Sequence, residues 1–300
     1  MAESVTTLPA CIVISALLWG IDGLDPLNIA SWMVCLFTTY ILTELDNVFQ
    51  LIRFRTRLIP CFWLFVSACL NFLHPLLEVQ LPACCMAASC FFLLRSYQRL
   101  MPVGSVFHSF LFLALGSLLF PPMLLLAAPF YACLHVYMNV KKWRTMWAAV
   151  IGLLLPYVGW IMWCMWSEDF LPLAAHFQEF IMWPSPRRYL AIPASHLVSA
   201  VLLLVLCWVG IAYYVATSFS EKIRVRMLFS VFIVLCLCLM AGMVCLPAWL
   251  VTLMGLFLVA SAPLVARFFT ITHNRWTNWF FFLLLFLLLA FAAWNCLEVS

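Results

Sequence analysis

Charge is what this chain has least of. Asp, Glu, Lys and Arg make up 9% of its 300 residues, hydrophobic residues make up 67%, and mean hydropathy is +1.13. A soluble domain carries about a quarter charged residues and roughly half apolar ones, so these figures exclude a water-soluble globule. Disorder is excluded too, because 27 Phe and 14 Trp cannot stay solvated. Residues 1–7 carry no Lys or Arg. The basic start of a cleavable signal is missing, and the first apolar stretch reads as a retained span.

Catalytic signatures are equally scarce. The sequence has no HExxH, GxSxG, Walker loop, zinc-ligand spacing or glycine-rich nucleotide turn, so no metal and no cofactor is expected. It has no CxxC, and all 14 cysteines lie in or beside apolar segments. A secreted disulfide framework would put them in polar loops, so they read as small hydrophobes. A net charge of +4 is too small for a nucleic-acid footprint. No internal repeat appears, which counts against an inverted-repeat transporter. Residues 1–300 therefore read as a single integral membrane domain.

What is present is a series of apolar runs: 7–21, 27–43, 59–73, 80–94, 104–119, 122–139, 146–166, 194–217, 227–240, 245–265 and 277–295. Lipid offers the backbone no hydrogen-bond partner, so each must be helical. The expectation is an all-α polytopic transmembrane helical bundle of about eleven spans, or ten if residues 7–21 only re-enter. The scarce charges orient it. Thirteen of the fifteen basic residues fall in alternate loops on one side. The other side holds only Arg187 and Arg188, with Asp22, Asp25, Glu78, Glu168, Asp169, Glu179 and Glu298. The positive-inside rule then puts the amino terminus in the cytoplasm.

Three segments could carry chemistry. At 44–58, a helical reading gives a stripe of Val48, Leu51, Ile52 and Arg55, with Arg53 and Arg57 on another face. Such an inner-face basic motif (Arg53, Arg55, Arg57) suits anionic lipid or a partner, or simply fixes topology. At 167–193, Phe170, Leu173, Ala174, Phe177, Phe180 and Ile181 recur at helical spacing, leaving His176 and Glu179 on the polar side. This reads as an amphipathic helix on the outer surface, closed by Pro184 and followed by Arg187 and Arg188. Two arginines on the acidic side suit a lipid phosphate such as polyprenyl phosphate, because guanidinium meets phosphate oxygens bidentately; ordinary pairing with Glu168, Asp169 or a lipid headgroup is the alternative. At 20–26, Asp22 and Asp25 could supply a catalytic carboxylate, as in the first outer loop of polyprenyl-phosphate-dependent glycosyltransferases. That loop is normally long, however, and Asp-Gly and Asp-Pro are ordinary turn dipeptides. His135, Asn139 and His74 fall within about a turn of a span boundary, where they would reach water; Gly116, Ser117 and Gly152 would let helices approach closely.

Three stretches together resemble one family. They are the run Glu-Leu-Asp-Asn-x-Phe-x-Leu-Ile-Arg-x-Arg-Thr-Arg-Leu at 44–58, Arg-Ser-Tyr-Gln at 95–98, and the run from Val106 to Tyr157. The likeness is to an uncharacterised group of polytopic inner-membrane proteins of Bacteroidota, and it covers about residues 30–190. It implies a bacterial inner membrane and eight or more spans, but no known reaction. The functional expectation is a part in envelope biogenesis, handling a polyprenyl-phosphate-linked glycan or lipid. The alternatives are a non-enzymatic scaffold subunit with a membrane-protein partner and, third, a transporter.

Overall fold

The computed structural model describes residues 6–21, 23, 25–52, 56–181, 192–272 and 275–299. Every regular element among them is helical. Twelve α-helices follow in order: α1 Thr7–Ile21, α2 Pro26–Phe49, α3 Leu58–Cys69, α4 Leu77–Arg95, α5 Val103–Leu119, α6 Ala127–Val136, α7 Trp143–Ser167, α8 Leu171–Ile181, α9 Ala194–Thr217, α10 Ile223–Cys245, α11 Leu250–Ile271 and α12 Arg275–Val299. Eleven match the apolar runs and α8 matches the surface segment. Short 3-10 turns lie at Asn71–Leu73, Pro121–Leu126, Ser218–Ser220 and Pro247–Trp249.

The expected all-α membrane bundle is what the chain forms. Among the described residues, six helical stretches are long and apolar enough to cross a membrane: Pro26–Phe49, Leu77–Arg95, Trp143–Ser167, Ala194–Ser220, Ile223–Cys245 and Pro247–Ile271. The shorter apolar helices lie alongside them. α3 falls well short of a full crossing: its 12 residues reach about 18 Å, against a hydrocarbon core of roughly 30 Å. The run expected over 59–73 ends early because the helix breaks at Leu70 and the chain tightens into the 3-10 turn.

Contacts between helix ends sort the connections into two sets. At one end Phe49 meets Phe91, the Gln98 amide donates to the Met138 carbonyl, and Arg267 meets Glu221. At the other, Trp19 stacks on His74, Phe72 meets His196 and Phe120 meets Trp249. The first end carries Arg57, Arg95, Arg99, Lys141, Lys142, Arg144, Lys222, Arg224, Arg226 and Arg267; the second carries Asp25, Glu78, Glu168 and Asp169. We call them the basic and the acidic end.

α11 is the hub. It is buried from Leu253 through Arg267 and packs against α3, α4, α9 and α10. A second row runs α2, α4, α5, α7, with α7 outermost and clad in exposed residues including Trp143, Trp147, Trp163 and Trp166. Apolar burial gives little net attraction between helices in lipid, so close packing and interhelical hydrogen bonds must hold them. Both are visible. A Cβ on Gly152 would stand 2.5 Å from the Phe107 carbonyl oxygen, so α7 lies directly on the α5 backbone. Gly210 does the same for α9 and α11, at 3.3 Å from the Leu264 carbonyl. The described cysteines are free thiols, mostly buried; Cys236 faces the core and Cys238 faces out, as their spacing requires.

The basic segment after α2 is not one continuous amphipathic helix. α2 runs on to Phe49, where Gln50 takes a left-handed conformation (φ 49°) and donates its amide to the Asp46 carbonyl. That cap reverses the chain. Leu51 and Ile52 turn under the bundle and are buried, while Val48 is exposed, so the expected stripe is split.

Candidate functional site

The surface helix at the acidic end is built by a sharp reversal. α7 ends at Ser167, and Glu168 takes a left-handed conformation (φ 53°) that turns the chain back. The Asp169 carboxylate then accepts the Leu171 amide at 2.9 Å, satisfying one of the free amides of the first turn of α8. α8 folds onto α7 through rings. His176 meets Trp160 edge-on with centroids 5.0 Å apart, and both His176 and Phe177 stand 6.1 Å from Tyr157. Tyr157 is itself fixed. Ser117 spends its one proton on the Ala114 carbonyl (2.7 Å), so the Tyr157 hydroxyl donates to Ser117 at 2.7 Å.

His176 therefore sits half-buried in the seam between α8 and α7, not on an outward polar face. Phe170 and Leu171 are exposed, as are Pro172, Ala174, Ala175 and Gln178, while Phe177 is 42% exposed with its ring against Tyr157. In lipid that arrangement is reasonable, because the apolar side can face acyl chains while the imidazole fills the protein seam. The Glu179 side chain lies outside the described residues, as do Arg187 and Arg188.

The other expected site residues divide in the same way. Asp22, Arg53 and Arg55 lie outside the described residues. Asp25 is exposed just ahead of α2; its backbone carbonyl accepts the Ile29 amide, but its carboxylate does not cap the helix. Asp25 and His176 are not brought together, since α4 and α5 separate α2 from α7 in the packing order. Arg57 is exposed at the start of α3. Among the described residues no cluster of three or more His, Cys, Asp or Glu could hold a metal ion.

Two arrangements escaped the sequence reading. Arg267 is 1% exposed, one turn inside α11, and its Nη2 donates to Glu221 Oε1 at 3.1 Å. Its guanidinium also lies over the Tyr214 and Phe229 rings, 5.0 and 5.1 Å from their centroids. The apolar run at 245–265 leaves Arg267 in a loop, and the available signal against that is its place directly ahead of Phe268 and Phe269. His74 is the second. Expected to reach water, it is fully buried, stacked on Trp19 at 3.7 Å, with Nε2 3.2 and 3.1 Å from the Ser67 and Ala68 carbonyls. Carbonyls only accept, so Nε2 carries the proton. The chain matches no protein-family model, no curated protein and no solved structure.

Proposed function

We propose that this is a multipass protein of the bacterial inner membrane that acts in envelope assembly by holding a polyprenyl-phosphate-linked lipid at its acidic end. The observation that carries the reading is the docking of α8. His176 and Phe177 tie that helix to α7 while Phe170 and Leu171 face outward, and the chain that follows bears Arg187 and Arg188, the two basic residues of the acidic side. An interfacial helix with an apolar outer face holds acyl chains, and a guanidinium pair at headgroup depth holds phosphate. His176 acts in this scheme as a positioning residue. Asp25, two helices away, has no part in it. The resemblance at 44–58 and 106–157 supports the bacterial setting.

The test is a deletion strain profiled for lipid-linked intermediates and complemented with Arg187→Ala plus Arg188→Ala. The reading expects the intermediates to accumulate, and the double variant to fold, insert and fail to restore the pool. Full restoration overturns it. The second reading, a non-catalytic subunit, is favoured by the exposed tryptophans of α7. It expects an unchanged lipid-linked pool and a stoichiometric membrane partner on purification.

A further inference from the structure

At the acidic end, where α1, α2 and the α3–α4 connection meet, side chains of an unusual kind for a membrane interior lie at one level. Asn28 donates to the Trp19 carbonyl at 3.2 Å and the Gly23 carbonyl at 2.7 Å, which fixes it beside Trp19. Trp19 covers the ring of His74. Gln80 donates to the Leu73 carbonyl at 3.4 Å, next to His74 in the chain. Ser31 is one turn from Asn28 on the buried face of α2. Cys35, four residues on, meets Ser67 at 3.3 Å, and about 6 Å of helix rise puts Ser31 level with the turn that follows α3.

Among the described residues of this layer, four polar atoms are buried without a hydrogen-bond partner: Trp19 Nε1, Asn28 Oδ1, Ser31 Oγ and Gln80 Oε1. Their residues are at most 6% exposed. A buried polar atom left unpaired costs on the order of 1–3 kcal/mol, and native interiors leave few of them. Four on residues that these contacts and one turn of α2 bring to one level, in a bundle with little hydrophobic attraction to offset them, call for an occupant. Its chemistry follows from the set. One indole N–H needs an acceptor, two amide oxygens need donors, and the serine hydroxyl can do either. A phosphate would leave the amide oxygens unpaired, and a metal ion would face the indole proton. Water, with two protons and two lone pairs, satisfies both kinds of atom, and a neutral lipid hydroxyl does so with the Ser31 hydroxyl as the second donor.

We propose that this layer is an internal binding site for a hydroxyl group, supplied either by water held in the bundle or by the headgroup of a neutral lipid. It is separate from α8 and does not depend on the phosphate reading.

Ser31→Ala tests it, because the residue makes no other side-chain bond. In the purified, delipidated full chain the substitution lowers Tm by about 2 °C or more if water fills the site. If lipid fills it, the loss appears only after 1,2-dioleoylglycerol is added. A Tm equal to or above that of the parent in both conditions overturns the proposal, since removing an orphaned hydroxyl is neutral or stabilising. Magnetisation transfer to the Trp19 indole proton, assigned by its disappearance in Trp19→Phe, reads the occupant directly. It arrives from water in the first case and from the glycerol protons in the second. Transfer from neither overturns the proposal.

Discussion

Ser89 on α4 and Ser109 on α5 clasp each other reciprocally. The Ser89 hydroxyl donates to the Ser109 carbonyl at 2.7 Å, and the Ser109 hydroxyl donates to the Ser89 carbonyl at 2.9 Å. Both residues are fully buried. Each bond crosses the same interface in opposite directions, so each can be removed without orphaning a donor. Interhelical hydrogen bonds in membranes average about 0.6 kcal/mol and reach about 1.7. Ser89→Ala and Ser109→Ala should therefore each destabilise by about 0.5–1.5 kcal/mol in a reversible unfolding assay, and the double variant by close to the sum. A loss above about 3 kcal/mol for either would mean that the serine supports more than this clasp.

Glycines test the close approach of α5 and α7. A Cβ at Gly152 would meet the Phe107 carbonyl oxygen at 2.5 Å and the Leu111 amide nitrogen at 3.2 Å. These are backbone atoms and cannot rotate away. Gly152→Ala should push the helices apart and cost about 1–3 kcal/mol, read as a lowered Tm. Gly159, on the same helix, has nothing within 4 Å of its Cβ position. Gly159→Ala should be neutral, or stabilising by up to about 1 kcal/mol through helix propensity. Equal effects at the two positions would contradict the packing.

The Arg267–Glu221 pair should respond unequally to loss of either partner. Arg267 is 1% exposed, while Glu221, between α9 and α10, is 15% exposed. Glu221→Gln leaves a guanidinium inside the bundle without a countercharge, held only by a neutral amide oxygen and the Tyr214 and Phe229 rings; the expected loss is up to about 3–5 kcal/mol. Arg267→Met leaves a carboxylate that can turn to water, so the loss should be smaller. The double variant should recover part of the Glu221→Gln loss, because it removes the stranded charge. Thermal unfolding of the three variants in one detergent decides the order.

How much of this was legible in the sequence depended on the kind of signal. Helix positions came from apolar runs and breakers, and the helix at 171–181 came from its periodicity. Long hydrophobic runs in lipid admit no other backbone. Finer points followed tertiary context, which a sequence does not display. Gln50 breaks the expected 44–58 stripe because a left-handed cap turns Leu51 and Ile52 under the bundle. His176 shares a helical face with polar neighbours, yet Trp160 and Tyr157 on α7 draw it inward. His74 lies at a boundary by count, but α3 stops short and leaves it beneath Trp19. In each case the deciding partner is remote in sequence or hidden by an unexpected helix end.

The division of charge between the two ends makes the orientation testable apart from function. Lys141 and Lys142 lie between α6 and α7 and Arg144 in the first turn of α7, at the end that also carries Arg95, Arg99, Lys222 and Arg224; Glu168 and Asp169 lie at the other end of α7. α7 is among the helices long and apolar enough to cross a membrane, so the two positions should fall on opposite sides. Basic loops are retained in the cytoplasm. Alkaline phosphatase fused after Asp169 should therefore be active and green fluorescent protein there dark, with the reverse pattern after Lys142. The phosphate reading needs this outcome, because it requires Arg187 and Arg188, which come between α8 and α9 in the sequence, to share the side of Asp169. The opposite result would place them in the cytoplasm, where two arginines among many need no special ligand. It would invert the charge rule for the whole chain and remove the reason for singling them out.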